Sequence, residues 1–211
     1  LTNITANKDM TIPSSASGAV YVPTTNTIFI PHNVAAGADT TISEIDTNGD
    51  AIARTITCTA CGDVEGITLI SSIASTTAPG TFDHTFMIST ENNTANGRVF
   101  RIVIPSTGSV TVNANDYFNT GIVHGANTGL EGIAYNASSN VFYLAEEDAT
   151  ETLYEGTITG ANTMTTNVIC SNLTWPGIVT DFSDLAYNNG ILYVMTELSG
   201  TALVPIDVTS T

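Results

Sequence analysis

The feature that most constrains the fold of this 211-residue chain is a strand–turn–strand unit that occurs four times. The register is kept between copies, because the step from Gly18 to Asn26 equals the step from Gly132 to Asn140. Repeats of roughly fifty residues predict stacked units that share a core. The copies span residues 18–56, 63–104, 129–158 and 181–206.

Each copy contains short strands separated by polar turns, and no segment shows a sustained helical spacing of apolar residues. The pattern predicts an all-β fold, a β-propeller of about four four-stranded antiparallel blades. A fifth blade could lie in the irregular stretches 71–84 and 105–128, and a β-sandwich is the alternative architecture.

The two ends of the chain predict how the ring closes. The last copy ends after its third strand, whereas residues 1–16 contain apolar positions with no partner in the first copy. We therefore divide the chain into an N-terminal strand, residues 1–16, and a propeller domain, residues 17–211. The N-terminal strand is expected to complete the last blade of its own ring or that of a neighbouring copy.

The charge balance excludes several function classes. Four Lys and Arg residues face twenty Asp and Glu residues, giving a formal net charge of −16. A surface of this kind repels phosphate backbones, so nucleic-acid binding is excluded. No apolar run is long enough to span a membrane. Abundant Thr, Ser and Asn with scarce Lys are typical of extracellular or cell-surface β-proteins, and the chain, which starts without Met, is expected to be a processed form or an excerpt of a longer one.

The cysteines and the glycosylation sequons are consistent with an extracellular location. Cys58 and Cys61 form a C-x-x-C pair with no second ligand pair for zinc, so a local disulfide is expected and leaves Cys170 unpaired. Asn-x-Ser/Thr sequons permit glycosylation, although a chain this rich in these residues contains several by chance. The sequons lie at Asn3, Asn92, Asn136 and Asn172.

Acidic residues recur at two places in the repeat. One set lies at the blade openings and the other at the ends of the second strands. Equivalent positions face one another around a propeller channel, so these carboxylates are candidate ligands for Ca²⁺, which prefers oxygen donors. They could equally form a general acid and base pair, or accept backbone N–H groups and fix blade packing. The candidates are Glu65, Glu131 and Asp184 at the openings, and Glu91, Glu146 and Glu197 at the strand ends.

The blade openings carry a family resemblance. The segments 63–67, 130–135 and 181–187 resemble the "D-x-E-G-I", "L-E-G-I-A-Y" and "D-L-S-G/D-L" motifs of the SdiA-regulated, phytase/esterase-like propellers. The resemblance covers most of residues 17–208 and implies a periplasmic or secreted propeller that binds a cation. Phytase activity is not expected here, because four scattered basic residues cannot clamp a polyphosphate.

Two functions are therefore predicted. The first is an extracellular structural or adhesive module, a subunit of a surface assembly or filament, whose partners are copies of itself, other surface proteins or glycans. The alternative is a secreted, Ca²⁺-assisted propeller hydrolase or ligand-binding protein. No nucleophile elbow and no Ser–His–Asp spacing is present in the sequence, which favours a protein that is not an enzyme.

Overall fold

The computed structural model describes the chain in nine ranges, and these contain strands and no helix. The predicted all-β fold is confirmed for this part of the chain, where nothing helical is present to cross a bilayer. The predicted N-terminal strand lies outside it except for its last two residues, of which Ala16 pairs with His32 in the first sheet. The ranges are 15–34, 38–59, 61–91, 97–113, 116–125, 128–147, 151–171, 181–196 and 202–208.

The described ranges form sixteen strands in three hydrogen-bonded sheets. In chain order the strands are β1 Val20–Val22, β2 Thr27–Pro31, β3 Thr40–Asp46, β4 Ile56–Thr59, β5 Val64–Ala74, β6 Phe82–Thr90, β7 Arg98–Pro105, β8 Val110–Asn113, β9 Tyr117–Asn119, β10 Leu130–Asn136, β11 Val141–Glu146, β12 Thr152–Gly160, β13 Thr163–Cys170, β14 Phe182–Asn188, β15 Ile191–Thr196 and β16 Ala202–Asp207.

The first sheet is the antiparallel meander β1–β2–β3–β4, with β8 added in parallel to the outer edge of β4. The Asp46–Gly49 turn between β3 and β4 is closed by a bond from the Gly49 N–H to the Asp46 carbonyl, and Gly49 has a φ of 84°. Positive φ of this kind favours glycine, which is why an Asn-Gly pair marks the turn in the sequence.

The eight-stranded sheet consists of two meanders. Strands β5, β6, β7 and β9 form the second meander of the chain, and strands β10 to β13 form the third. A single parallel bridge between Thr163 and Asn119 joins their outer strands. Of the stretches considered for a fifth blade, residues 71–84 extend the β5–β6 hairpin, and residues 105–128 contain β8, which pairs with β4 of the first sheet, and β9 of the eight-stranded sheet.

The last sheet contains β14, β15 and β16, all antiparallel. Its first two strands and the turn between them match the equivalent hairpin of β10 and β11. Within the described residues β16 pairs with β15 alone. The predicted closing strand, residues 1–16, lies almost wholly outside the described residues.

Alternating side chains join successive sheets into one stack. On β6, Phe86 and Ile88 pack against Phe29 and Ile56 of the first sheet, whereas the intervening Met87 packs toward β10 and β11. On β11, Phe142 and Leu144 face the second meander, and Tyr143 and Ala145 face Leu192 of the last sheet. Burying a large apolar side chain stabilises the fold by about 1.5–3 kcal/mol.

The innermost strands β1, β5, β10 and β14 lie side by side around a common axis. Glycines allow the close approach: a Cβ on Gly66 would lie 2.9 Å from the Ile133 nitrogen, and a Cβ on Gly132 would lie 2.8 Å from the Leu185 nitrogen. The Asp184 carboxylate on β14 accepts the backbone N–H of Ala19, just before β1, so last and first inner strands also meet.

Candidate functional site

A repeated bulge aims one side chain from each inner strand toward one end of the axis. The pairing register of β5, β10 and β14 shifts at equivalent points, which leaves Glu65, Glu131 and Ser183 as the extra residues. Ser17 has the same place in the first sheet, between Ala16, paired with His32, and β1. Bulges redirect side chains away from the normal alternation of a strand. Four inner strands thus present two glutamates and two serines at one mouth.

A second repeated position flanks the bulge. In three meanders, a residue just beyond the end of the second strand donates its backbone N–H to a carbonyl on the inner strand. The accepting residue lies two positions before the bulged residue in each case, and all three bonds lie within the described residues. The bonds join Asn33 to Ser15 at 2.6 Å, Glu91 to Asp63 at 3.0 Å and Glu147 to Gly129 at 3.1 Å. Asn33, Glu91 and Glu147 are therefore structural equivalents.

Most of these positions line a cavity of about 460 Å³ at the end of the axis. We call this cavity, together with Asp63 and Glu91 beside Glu65, the axial mouth. Its wall is polar, with acidic side chains on one side and hydroxyl groups on the other. The lining residues are Ser15, Ala16, Ser17, Asn33, Glu65, Glu131, Glu147, Asp181, Phe182 and Ser183.

Three carboxylates of the second meander form the tightest acidic group. Asp63, Glu65 and Glu91 each offer an oxygen, and these oxygens lie within 4.8 Å of one another. Burial and the neighbouring carboxylate of Asp63 raise the pKa of Glu65 to about 9. Burial likewise raises the pKa of Asp63 and of Glu91, the latter opposed by the nearby His124. Asn33 donates its side-chain N–H to Glu65 Oε1 at 2.7 Å and fixes that carboxyl group.

A second group of carboxyls adjoins the first. Glu147 hydrogen-bonds both Glu131 and Asp181. Burial and the charge of Glu65 raise the pKa of Glu131 to about 9, and burial together with Asp181 raises that of Glu147 to about 7. The Glu131 side chain is 9% exposed, and its Oε1 has no hydrogen-bond partner.

The described arginines interact with other parts of the molecule. Arg54 forms an ion pair with Glu44 at 2.5 Å, Arg98 lies over the Tyr117 ring at 4.8 Å, and Arg101 pairs with Asp116. None of them appears among the charges that act on the mouth carboxyls. Burial and mutual repulsion are the causes that raise these pKa values, and a bound cation would remove the repulsion.

The structure places three of the predicted metal ligands, Glu65, Glu131 and Glu91, close to one another, and two others elsewhere. Glu146 accepts the Tyr154 hydroxyl at 2.6 Å and is not among the residues that line the mouth. Asp184 accepts the N–H of Leu185 at 2.7 Å and that of Ala19, so it joins inner strands. Glu197 lies outside the described residues.

The remaining predicted sites have separate outcomes. The structure bonds Cys58 to Cys61 in a buried disulfide and leaves Cys170 free. Asn136 is 9% exposed, and its Oδ1 accepts the Ser138 hydroxyl at 2.7 Å. The other sequons, at Asn3, Asn92 and Asn172, lie outside the described residues.

Sequence reasoning missed four mouth residues: Asn33, Asp63, Glu147 and Asp181. Three of them carried a usable signal. Asp63 and Asp181 each stand two residues before the bulged residue of their strand, and Glu147 directly follows the Glu146 that was chosen. A one-residue difference in register moves a side chain to the opposite face, so choosing the wrong glutamate of a pair misplaces the site. Asn33 carried no such signal, because it is uncharged whereas the equivalent residues, Glu91 and Glu147, are acidic.

A family model described as SdiA-regulated matches residues 2–209, nearly the whole chain. The chain belongs to the SdiA-regulated family. This family has a β-propeller-type fold, and the stacked meanders around a common axis are those of a propeller, so the predicted resemblance is confirmed.

A solved structure titled Drosophila Plexin A in complex with Semaphorin 1b is similar over 91% of this chain and 55% of its own, at 10% sequence identity and a TM-score of 0.44. The chain thus spans about half the length of that neighbour. No curated protein matches the sequence.

Proposed function

We propose that this SdiA-regulated propeller is an extracellular module that binds a divalent cation, Ca²⁺, at its axial mouth. The observation that carries the proposal is the group Asp63, Glu65 and Glu91, whose oxygens converge within 4.8 Å while Asn33 holds one of them in place. Ca²⁺ takes carboxylate and amide oxygens as ligands in flexible geometry. The extracellular setting is supported by the scarcity of Lys and by the Cys58–Cys61 disulfide.

We further propose that the ring has four blades. The inner strands β1, β5, β10 and β14 supply one side chain each to the mouth, and β14 meets β1 through Asp184 and Ala19. A fifth blade would have to enter between two inner strands that already touch. A four-fold pattern of meanders in a single-particle reconstruction supports this count, and a five-fold pattern would refute it.

Calorimetric titration tests the cation site. Wild-type protein should bind Ca²⁺ with a Kd on the order of 10⁻⁶–10⁻³ M, the range of sensor and extracellular sites. Glu65→Gln should weaken binding about tenfold or more, because it removes a charged ligand that other carboxylates surround. Glu155→Gln is the matched control, since Glu155 lies on β12 and bonds Asn167 outside the mouth. The absence of any Ca²⁺ heat in wild type, or equal loss in both variants, would sink the proposal.

A second candidate is a structural or adhesive unit of a surface assembly that contains copies of this chain. It is favoured by Leu203 on β16, a large apolar side chain that is 64% exposed. Apolar side chains exposed on a surface can mark a protein–protein contact. Light scattering should detect concentration-dependent assembly that Leu203→Lys reduces. A strictly monomeric wild type at high concentration, with and without Ca²⁺, would exclude this role.

A further inference from the structure

A second cavity lies at the other end of the inner strands, between the β10–β11 hairpin and the β14–β15 hairpin. Its volume is about 460 Å³, and we call it the hairpin groove. Tyr135 stands four positions after the bulged Glu131, so the groove begins about 13 Å along the strand from that bulge. The described residues that line the groove are Tyr135, Asn136, Ala137 and Ser138 on one side, and Tyr187, Asn188, Asn189 and Gly190 on the other.

Two tyrosine rings form the apolar part of the hairpin groove, and aromatic neighbours hold both of them in place. Tyr135 stacks on Phe142 with ring centroids 4.7 Å apart, and Tyr187 stacks on Tyr143 at 5.5 Å. The Tyr135 hydroxyl also donates to Asn140 Oδ1 at 2.9 Å. Because both rings are already fixed, little conformational freedom is lost when a ligand packs against them.

Asparagine amides supply the polar part of the hairpin groove. Asn136 Oδ1 accepts the backbone N–H of Ser138 at 3.1 Å and its hydroxyl at 2.7 Å, and the Asn136 side chain also hydrogen-bonds the Tyr143 hydroxyl. The side chains of Asn188 and Asn189 are exposed and line the opposite side. An amide offers one acceptor oxygen and two N–H donors, so these two residues can both donate to and accept from hydroxyl groups of a ligand.

The described lining of the hairpin groove carries no charge, in a chain with a formal net charge of −16. It offers no carboxylate to a cation, and the charge of the whole protein repels anions. An uncharged ligand with both apolar faces and hydroxyl groups matches this lining, and pyranose sugars have both, because their ring C–H groups form apolar faces. We propose that the hairpin groove binds an uncharged carbohydrate, with sugar rings packed on Tyr135 and Tyr187 and sugar hydroxyls bonded to the asparagine amides. This site is separate from the cation site and does not require the ion.

The first sheet provides a matched control for the tyrosines. Tyr21 is the equivalent of Tyr135, since its hydroxyl donates to Asn26 Oδ1 at 2.8 Å as that of Tyr135 donates to Asn140. Tyr21 is 48% exposed, and it is not among the described residues that line the groove. Replacing Tyr21 therefore removes the turn contact alone, whereas replacing Tyr135 removes the same turn contact together with part of the groove.

Saturation-transfer NMR and calorimetry with defined oligosaccharides test the proposal. The probes are neutral oligomers of glucose, of mannose and of N-acetylglucosamine, and oligogalacturonate is the acidic counterpart. At least one neutral oligomer should bind. Tyr135→Ala should weaken its binding about threefold to tenfold, the loss of one aromatic contact, whereas Tyr21→Ala should change it less than about twofold. Circular dichroism confirms that each variant is folded, and Asn188→Ala, a change of an exposed side chain, replaces Tyr135→Ala if that variant does not fold.

Each outcome supports or overturns the carbohydrate site. Binding of a neutral oligomer that Tyr135→Ala weakens and Tyr21→Ala does not, in chelating buffer as well as in Ca²⁺, supports it. Equal weakening by both variants, or binding of oligogalacturonate alone, overturns it. Binding that is lost in chelating buffer and in Glu65→Gln would assign the sugar to the axial mouth and overturn the groove as its site. A wild type that binds none of the neutral oligomers overturns the proposal and leaves the proposed cation site intact.

Discussion

The two halves of the axial mouth have the same backbone and opposite chemistry. Glu65 and Glu131 extend from bulges on β5 and β10, whereas Ser17 and Ser183 occupy the equivalent bulges of the first and last inner strands. The two glutamates at the bulges of the second and third inner strands are costly to ionise because they are buried, whereas the two serines at the other bulges are neutral. The repeat therefore maintains the backbone geometry of the mouth, while the side chain chosen at each bulge determines where negative charge is concentrated.

The largest expected effect comes from a substitution that disturbs the close packing of the inner strands, which both halves of the mouth share. Gly132→Ala would place a Cβ 2.8 Å from the Leu185 backbone nitrogen, so β10 and β14 would have to separate. Forced shifts in a packed interior cost about 1–3 kcal/mol or more. Urea unfolding should show this loss. Gly125→Ala is the control, because its Cβ would meet nothing closer than 3.4 Å, and equal stability of the two variants would contradict the close contact.

A smaller effect is expected from making the acidic half neutral. The pKa of Glu131 is about 9 in the folded protein without cation, above its ordinary value of 4.5, so the folded state holds a proton that the unfolded state releases between these limits. Its contribution to stability is therefore full below about pH 4.5 and lost as the pH rises toward 9. Glu131→Gln should remove this loss and make the cation-free protein more stable than wild type at pH 9.

Thermal unfolding from pH 5 to pH 9 in a chelating buffer measures this difference. The variant should melt higher than wild type at pH 9, and the two curves should approach each other near pH 5. Ser183→Ala is the matched control, because Ser183 occupies the same bulge without a titrating group. If the stability of the wild type does not fall as the pH rises, the mouth carboxyls ionise without any cost to the stability of the folded state.

Asp184 gives a comparable pH test outside the mouth. Burial raises its pKa from 3.8 to about 8, against the two backbone N–H groups that it accepts. The sign is the same as for Glu131: stability is full below about pH 4 and falls as the pH rises through 8. Asp184→Asn keeps one acceptor oxygen for these N–H groups and does not titrate, so we expect a flatter pH profile and higher stability than wild type at pH 9. Ca²⁺ affinity should be unchanged, which distinguishes a structural carboxyl from a ligand.

The sequence predicted the fold well because the repeat is local. Strands β10, β11, β14 and β15 each follow from short apolar runs and their turns, and the positive φ at Asn140 and Asn189 agrees with those turns. The path of β8 was not predictable: it leaves the second meander and pairs in parallel with β4 of the first, a contact between distant segments that no local pattern specifies.

The site was predictable in part for the same reason. Glu65 and Glu131 recur in matching words of the sequence, and this repetition identified them. The other mouth residues could not be located from the sequence. The bulge on β14 turns Ser183, and not Asp184, toward the mouth. Glu147, and not Glu146, is the structural equivalent of Glu91. Asp181 joins Glu147 across two sheets, and such a pairing requires knowledge of how the sheets stack.

The smallest expected effect tests whether the hydroxyl half contributes to the acidic half. Asn33 belongs to the first sheet, yet its amide donates to Glu65 Oε1 at 2.7 Å across the mouth. Asn33→Ala should leave the cation ligands in place and remove this positioning bond, so Ca²⁺ affinity should fall about threefold to tenfold, as the loss of one hydrogen bond of about 1 kcal/mol implies. Asn33→Asp adds a carboxylate at the same place and should instead tighten binding, and calorimetry on the pair separates positioning from charge. If both variants bind as wild type does, the two halves act independently, and the cation site is confined to the second meander.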